Sequence, residues 1–495
     1  MTPDHPIFCL ARFTLEAKTP LSIASGTRNG GFDMALATDA SGLPSLPGTS
    51  LAGVLRNEYR KRFGDDESRD LFGWQDSDVG APAILHVASG VLQDSLGHAF
   101  EGLPLSPERR THLQNDNVLA HAFDQLNRPI FRDAVRISHR GTAAETGKFE
   151  RVILPAGNRF SCELTLWAAS ADDPRWARVC DLLAGAELRM GGGTRNGLGA
   201  MRAVELHTAV LKLDDPKDYA TFSKMGRDID DMRHLHKQEI TLTEDASPYL
   251  AATIKLTPNA FWRVGQGKSA LGSYEDGNVP RLLPLTEPRV TWQDGKGSVG
   301  DAEVLLPGSS IKGALSHRQC FHLNRLQGKW STLPATSLPE YDKSEDKVLR
   351  ALYGYARGEG DGQEQPSGQA GRVFVRDVFV SQISGAVGVM PHNVIDRFTG
   401  GVRDRLLFSE ELIWKTPVDI QVMVDTAAIE QSISGDGLML IKQSLALALD
   451  DLVNGRLALG SACARGHGFF NGSVEWSDGG KWIAGEAGSL KETAA

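Results

Sequence analysis

Hydrophobic and polar residues alternate in several short stretches of the chain, and this alternation predicts half-buried β-strands. The two longest stretches are ARFTLEAKTPLSIASG (11–26) and AATIKLTPNAFWRVGQG (251–267), and each runs into glycines. The others are AILHVASGVL (83–92), RFSCELTLWA (159–168), RVFVRDVFV (372–380) and PVDIQVMVDT (417–426).

Apolar residues recur at helical spacing in further segments. Two of these segments begin with nearly identical stretches, LPGTSLAGVLR (46–56) and LPGSSIKGALS (306–316). In both, Pro-Gly forms a turn, and a Ser or Thr is expected to cap the helix that follows. Helices are also predicted at RWARVCDLLAGA (175–186) and GLMLIKQSLALALDDL (437–452).

The predicted elements recur in the same order in both halves of the chain, and each half closes with a glycine-rich loop that enters a last strand. The order β-α-β-β-α-β is that of a ferredoxin-like unit. We therefore predict an α+β protein with two tandem ferredoxin-like domains, at 1–210 and 245–495, joined by a linker at 211–244. Segments 93–130 and 325–371 are interpreted as loop insertions.

Composition narrows the class of protein. The chain has 495 residues, of which 41% are hydrophobic, as in globular proteins with buried cores. Its five cysteines form no CxxC pair, which predicts a reducing compartment. Without a signal peptide or an apolar run of about 18 residues, we expect a cytoplasmic protein that does not enter a membrane. A net charge of −9 disfavours nucleic-acid binding unless basic residues cluster locally.

The two Pro-Gly helix starts are the first candidate binding sites, because backbone N–H groups at a helix N-terminus attract anions such as phosphate. An ordinary capped helix is the alternative interpretation. The candidate residues on these two helices are Ser50, Arg56, Ser309, Ser310, Lys312 and Arg318.

The glycine-rich loops GGGTRNGLG (191–199) and SACARGHG (461–468) are the second candidates. Each follows a helix and enters a strand, which is the reverse of a dinucleotide fingerprint, and neither has the Gly-Lys-Ser/Thr ending of a Walker A loop. Such loops are able to cradle a phosphodiester backbone, although a plain helix-to-strand turn is the alternative. Their candidate residues are Thr194, Arg195, Asn196, Arg465 and His467.

Two further loops, VRISHRGTAAETGKF (135–149) and NVIDRFTGGVRDRLLF (393–408), are predicted to be protruding hairpins. Arg140, Arg397 and Arg403 are their candidate phosphate contacts, and a solvated loop is the alternative.

The loop after the first strand holds carboxylates between glycines. It contains Arg28, Asp33 and Asp39, and the longer loop of the second half contains Asp276 and Glu287. An aspartate in this setting is able to hold Mg²⁺ or to position a ribose 2′-OH for attack on its own phosphate. A turn residue is the alternative interpretation.

Taken together, these motifs resemble the repeat-associated mysterious protein (RAMP) superfamily. LPGTSLAGVLR and LPGSSIKGALS resemble its helix start, and DRFTGG (396–401) followed by LFSEEL (407–412) resembles its hairpin and exit strand. The resemblance covers nearly the whole chain, because each half contains one copy of the motifs. Within the superfamily the chain resembles fused backbone subunits of type III, III-D-like, CRISPR effector complexes.

The resemblance implies RRM-like units that polymerise along a guide CRISPR RNA, with a hairpin "thumb" that interrupts the guide–target duplex. Arg28 and the basic and hydroxyl residues named above would bind RNA. The implied partners are guide RNA, complementary target RNA, a large polymerase/cyclase-like subunit, and other backbone and small subunits. Asp33 corresponds to the aspartate that cuts target RNA with a divalent metal, expected to be Mg²⁺. Asp276 is the nearest match in the second half.

Other functions stay open at this point. The chain is alternatively a guide-RNA scaffold that cuts nothing, or a guide-processing endonuclease that uses His139 or His467. A phosphate- or nucleotide-binding enzyme is disfavoured by the helix-to-strand order of the glycine-rich loops.

Overall fold

Two antiparallel sheets, one in each half of the chain, carry the fold. The computed structural model describes residues 5–26, 35–125, 127–137, 142–185, 187–240, 249–265, 267–275, 277–329, 347–355, 368–381, 383 and 385–484. Below, the first half means residues 5–240 and the second half means residues 249–484.

The first half contains the helices and strands of one ferredoxin-like unit together with three short helices and two hairpins. In chain order they are β1 (Ile7–Ala17), α1 (Gly48–Phe63), α2 (Asp65–Phe72), β2 (Trp74–Asp76), β3 (Val79–Ala81), β4 (Leu85–Val87), β5 (Val91–Leu92), α3 (Pro107–Asn115), α4 (Asn117–Asp124), β6 (Ile130–Ile137), β7 (Ala143–Ile153), β8 (Arg159–Ala168), α5 (Pro174–Gly185), β9 (Leu188–Arg189) and β10 (Ala200–Lys212).

The segment that joins the halves adds helix α6 (Pro216–Lys224) and strand β11 (His236–Lys237). Strand β11 pairs with β10, and Arg12 on β1 donates hydrogen bonds to the backbone carbonyls of Gly226 and Asp231. The predicted linker therefore packs against the face of the first sheet that carries Arg12. The domain boundaries at 210 and 245 stay a prediction.

The second half repeats the unit and adds one long hairpin-bearing loop. Its elements are β12 (Leu250–Pro258), β13 (Phe261–Trp262), β14 (Thr286–Glu287), β15 (Val290–Gln293), β16 (Lys296–Val299), β17 (Glu303–Leu306), α7 (Gly308–Leu326), α8 (Lys347–Tyr353), β18 (Gly354–Tyr355), β19 (Gln369–Ala370), β20 (Val373–Val375), β21 (Val378–Val380), β22 (Val387–His392), β23 (Phe408–Trp414), β24 (Val418–Val424), α9 (Thr426–Ser432), α10 (Asp436–Val453), β25 (Asn454–Ala458), β26 (Phe469–Trp476) and α11 (Lys481–Ala484).

Strand order is the same in the two sheets. The first sheet has the order β10-β1-β8-β4, and the second has β26-β12-β24-β20, with antiparallel pairing throughout. In each sheet the first strand of the half lies in the middle. Strand β1 pairs with β8 and β10, and β12 pairs with β24 and β26. The predicted α+β class with two ferredoxin-like units is confirmed.

Alternation in the sequence determines which face of each sheet packs on the helices. On β8 the residues Cys162, Leu164 and Leu166 are fully buried, while the residues between them are partly exposed. Because successive strand residues point to opposite faces, these side chains form one apolar surface. Leu51 and Leu55 of α1 belong to the same buried cluster.

The two predicted loop insertions contain regular structure. Segment 93–130 forms α3 and α4, and Asp116 caps α4 by accepting hydrogen bonds from the backbone N–H groups of Val118 and Leu119. In segment 325–371, the described residues form α8 and the short pair β18–β19. Both segments lack strong periodicity because their helices are only seven to nine residues long.

Hairpin β15–β16, which makes the second loop longer, packs on the first half. Val290 N donates to the carbonyl of Ala156 (2.9 Å), and the Trp292 indole donates to that of Gly157 (2.7 Å). Gly157 has φ +86°, and a Cβ there would lie 1.7 Å from the Val290 oxygen, so the contact requires glycine. This hairpin, which is part of the longer second loop, therefore contributes to the contact between the halves.

A candidate nucleic-acid interface between the halves

Both Pro-Gly helix starts have the predicted position but not the predicted cap. Pro47 and Pro307 occupy the N-cap positions, and neither proline has a side-chain oxygen that could cap its helix. The Gly48 N–H donates to Ser89 Oγ instead (3.2 Å). The hydroxyl groups of Ser309 and Ser310 lie on exposed residues, and Ser50 is half-buried. These serines remain available to a ligand rather than to the helix.

A cleft of ≈480 Å³ opens beside α1, between the two halves. Four basic side chains, two aromatic rings and two carboxylates contribute to its walls. The residues that line it are Thr49, Ser50, Gly53, Val54, Asn57, Glu58, Lys61, Arg189, Thr194, Arg195, Tyr249, Ala370, Gly371, Arg372, Phe374 and Asp425. Ser50 from the first helix start and Thr194 and Arg195 from the first glycine-rich loop, predicted from two separate motifs, are therefore brought together.

Aromatic rings and cations are stacked along one side of this cleft. The rings of Tyr249 and Phe374 are 5.0 Å apart. The guanidinium groups of Arg189 and Arg195 lie 5.0 Å and 5.2 Å from the Phe374 centroid, and the Lys61 ammonium lies 4.6 Å from that of Tyr249. Such contacts hold cations in place through the ring quadrupole. No binding role was predicted for Arg189, Tyr249 or Phe374, because these residues lie outside the candidate binding motifs.

Lys61 keeps its charge in this setting. Burial alone would lower its pKa, but the neighbouring Tyr249 and Glu58 outweigh burial and raise the pKa. The cleft therefore presents positive charge, which holds a nucleic-acid strand through its backbone without reading its sequence. Phe374 is buried, so its ring positions Arg189 and Arg195 and does not offer a face for a base.

The first glycine-rich loop packs on the start of α7. Lys312 Nζ donates to the Arg195 carbonyl (3.2 Å), and the Arg195 side chain donates to the Gly371 carbonyl. A Cβ on Gly197 would lie 1.8 Å from Asp377 Oδ1, so only glycine allows this approach. Lys312 is 9% exposed, and burial, with a smaller effect of Arg195, lowers its pKa to about 7. It therefore lies within the contact between the halves.

A buried ion triad supports the same contact. Arg132, at the base of hairpin β6–β7, donates to Asp377 Oδ2 and Glu287 Oε2, each at 2.6 Å. The other oxygen of Asp377 accepts from the Gly308 N–H at the start of α7 (2.7 Å). Glu287, a carboxylate of the long second loop, is thus a structural ion-pair partner of Arg132.

The second glycine-rich loop is held by Glu410, a fully buried residue on β23. Glu410 accepts from Arg465 (3.1 Å), Arg263 (3.2 Å) and His392 (2.5 Å), so it ties this loop to hairpin β22–β23. His467 is buried beside this cluster, and burial lowers its pKa, which leaves it neutral at pH 7. Arg465 keeps an exposed edge, whereas His467 does not.

Three further candidates lie apart from the cleft. Arg318 forms an ion pair with Asp451 on α10 and faces that helix. Arg56 and Asn196 are exposed. The interface predicted from the sequence is therefore distributed over several surfaces.

Hairpin β22–β23 has an ordered, exposed tip. Asp396 Oδ1 accepts from the N–H groups of Phe398 and Thr399, and these bonds, with that of the Thr399 hydroxyl, lower the pKa of Asp396. The Phe398 side chain is 99% exposed, and Arg397 and Arg403 beside it are exposed as well. The tip thus presents an exposed aromatic ring on a loop that also carries two exposed arginines.

The predicted catalytic residues lie outside the described residues. These are Asp33 and Asp276. The predicted RNA contacts Arg28 and Arg140, and His139 of the guide-processing alternative, also lie outside the described residues. Asp39 on the same loop as Asp33 is a turn residue, because its Oδ1 accepts from Ser41 N (2.8 Å) and Leu43 N (3.0 Å). The Mg²⁺ site at Asp33 therefore stays a prediction.

A family model described as the RAMP superfamily matches residues 14–202 and 262–471. The chain belongs to the RAMP superfamily. Each RAMP region contains one Pro-Gly helix start, one long hairpin and one glycine-rich loop. In the part of the RAMP chain that the structure describes, no helix is long and apolar enough to span a membrane.

Comparison with other proteins adds little beyond the family. Among solved structures, the RAMP chain is similar to a chain of a type III-B Cmr-β complex determined by cryo-EM in its apo state. The two are 16% identical with a TM-score of 0.29, over 39% of this chain and 97% of that one. No curated protein matches the sequence.

Proposed function

We propose that this RAMP chain is a guide-RNA-binding backbone subunit of a type III CRISPR effector complex, and that it occupies two consecutive positions along the guide. Its partners are the guide RNA, a complementary target RNA and the other subunits of the complex. Family membership supports the class of protein, and the twofold occurrence of each binding motif supports two positions.

The observation that carries this proposal is the way in which the halves meet. The glycine-rich loop of the first half, at Gly197, contacts the helix start of the second half, at Gly308. These are different surfaces of equivalent units, so the contact is heterologous, and a heterologous contact is able to continue in one direction. If the contact is repeated, the preceding neighbour would place its glycine-rich loop at Gly48. The following neighbour would receive the loop at 461–468 at its own helix start.

RNA is held, on this proposal, at the cleft and loops rather than on the sheets. The first sheet is covered by the joining segment that Arg12 binds, so bases have no open sheet face there. The cleft beside α1 supplies the local positive charge that the net charge of −9 does not. A protein that grips backbone and shape leaves sequence recognition to base pairing with the guide.

Target cutting is the second part of the proposal. The loop aspartate Asp33 would act with a divalent metal on RNA paired to the guide, and hairpin β22–β23 with its exposed Phe398 would interrupt the duplex beside it. His467 is buried, which disfavours it as the general acid or base of the guide-processing alternative; His139, the other candidate, lies outside the described residues.

The test is to express the chain with its presumed partner subunits and a CRISPR array, to purify the complex, and to size the RNA that it carries. A discrete RNA of repeat-spacer length supports guide binding, whereas no RNA or only random fragments would contradict it. Labelled complementary RNA is then added to complexes that carry Asp33→Ala, or Asp78→Ala as an exposed control. Loss of cutting only in Asp33→Ala supports catalysis; unchanged cutting favours the scaffold alternative.

A further inference from the structure

A cluster of metal-binding side chains lies in the helical insertion of the first half, away from the cleft. It consists of Asp94 in the turn after β5, His112 near the end of α3, and Asp116 at the start of α4. One ligand atom from each residue lies within 4.8 Å of the other two. The set offers one imidazole nitrogen and two carboxylate oxygens.

Backbone hydrogen bonds orient both carboxylates. Asp94 Oδ1 accepts from the N–H groups of Leu96 (2.8 Å) and His98 (2.9 Å), which leaves Oδ2 facing His112 Nε2 at 3.1 Å. Asp116 Oδ1 caps α4, and its Oδ2 accepts from Ser95 N at 2.9 Å. Carboxylates that bind a metal are commonly held in place by hydrogen bonds from surrounding groups in this way.

The charge of this cluster is uncompensated by lysine or arginine. The Asp94 side chain is 3% exposed, and burying a carboxylate without a compensating charge is costly. Within the described residues, His112 is the one basic side chain that pairs with Asp94, and no lysine or arginine pairs with either aspartate. Two carboxylates around one imidazole therefore have the charge and the donors that a divalent cation would complete.

We propose that Asp94, His112 and Asp116 bind a divalent transition-metal ion, with Zn²⁺ as the preferred ion and water completing its coordination. Metal–ligand bonds of about 2.0–2.2 Å place neighbouring ligand atoms about 3.0–3.5 Å apart, and the 3.1 Å between Asp94 and His112 already meets this spacing. The imidazole ligand favours Zn²⁺ over Mg²⁺, which prefers oxygen ligands.

His112 is able to complete the geometry. Its side chain is 44% exposed, and its ring meets Phe100 edge-on with the centroids 5.6 Å apart. It is therefore supported on one side and open to solvent on the other, which provides an entry path for the ion.

A metal at this position would act as a structural clamp. It would join the turn at Asp94, the end of α3 and the start of α4. In the same turn, the Ser95 carbonyl accepts a hydrogen bond (2.8 Å) from the N–H of Gly297, which lies in hairpin β15–β16 of the second half. The site is thus predicted to stabilise the contact between the halves, and it does not depend on the proposed RNA function.

The test uses the full chain, stripped with a chelator and dialysed, in wild-type, His112→Gln and His86→Gln forms. His86 is an exposed histidine on β4, so His86→Gln is the matched control. We expect calorimetric titration with Zn²⁺ to show saturable binding that weakens at least tenfold in His112→Gln and is unchanged in His86→Gln. Zn²⁺ should raise the melting temperature of wild type and control, but not of His112→Gln.

Co²⁺ serves as a spectroscopic probe of the same site. A visible absorption band should appear on addition of Co²⁺ to the wild type and be absent in His112→Gln. Because His112 is partly exposed, its variant is expected to fold, and circular dichroism checks this. Equal Zn²⁺ binding by wild type and His112→Gln, or no saturable binding by the wild type, would overturn the proposal and leave an ordinary Asp94–His112 hydrogen bond.

Discussion

Lys312 donates a hydrogen bond from its buried ammonium to the backbone carbonyl of Arg195, and this bond joins the second helix start to the first glycine-rich loop. Two motifs that the sequence presents as separate anion sites thereby meet in one contact. The lysine that was predicted to bind phosphate lies between the halves of the protein.

Lys312 gives the stability of the protein a specific dependence on pH. Burial lowers its pKa to about 7, whereas an exposed lysine in the unfolded chain has a pKa of about 10.4. Between these values the unfolded chain binds a proton that the folded chain has released, so the free energy of unfolding increases with pH. Between pH 7 and pH 9.5, the free energy of unfolding of the wild type should increase by about 2–4 kcal/mol relative to that of Lys312→Met.

Urea unfolding of both proteins at the two pH values measures this difference. A difference between wild type and Lys312→Met that does not change with pH would show that Lys312 stays charged in the folded protein.

The buried triad around Arg132 predicts a large effect of a single substitution. Arg132→Met leaves Asp377 and Glu287 buried without their cation, which should lower the free energy of unfolding by about 3–5 kcal/mol. Arg136→Met on the same strand is the control, because that side chain is exposed and its loss should cost less than about 0.5 kcal/mol. Similar urea midpoints for the two variants would contradict the structural role of the triad.

Gly157 tests the docking of hairpin β15–β16. Gly157→Ala places a Cβ against the Val290 carbonyl and should detach the hairpin, which hydrogen exchange of residues 290–299 would detect as faster exchange. Gly102→Ala is matched in backbone conformation, with φ +73°, but has no atom within 4 Å of the added Cβ. It should cost only about 1 kcal/mol through backbone strain and leave the exchange of the hairpin unchanged.

The exposed ring of Phe398 tests the proposed thumb. Phe398→Ala should not change the melting temperature, because the side chain is 99% exposed, but it should alter where or how fast complementary RNA is cut in the assembled complex. Leu105→Ala, at a residue that is 72% exposed elsewhere, is the control for loss of a surface apolar group. Identical cutting patterns for both variants and the wild type would remove Phe398 from the mechanism.

Local pattern predicted most of the fold. The alternation in RFSCELTLWA predicted a strand over 159–168, and the structure has β8 at Arg159–Ala168. The Pro-Gly stretches predicted both helix starts, because proline fixes its own φ and glycine allows a tight turn wherever the rest of the chain lies. Helix α10 likewise begins and ends within one residue of its predicted bounds.

The contact between the halves could not be predicted in the same way. Arg132, Asp377 and Glu287 become important through partners that are far away in sequence, and no local period marks such residues. The cap prediction was wrong because Pro47 itself takes the N-cap position. The predicted roles of Asp33 and of the RNA-binding residues stay predictions.

Hairpin β15–β16 also makes the two ends of the chain unequal. The first half has no counterpart of this hairpin among the described residues. A neighbouring unit that docked at α1 would therefore lack the added contact that hairpin β15–β16 makes between the two halves. In an assembly of such subunits, the weakest interfaces would lie between chains, and the interface between the two halves of one chain would be stronger. Mild denaturation would then release intact pairs, and the smallest piece able to exchange between assemblies would always span two guide segments.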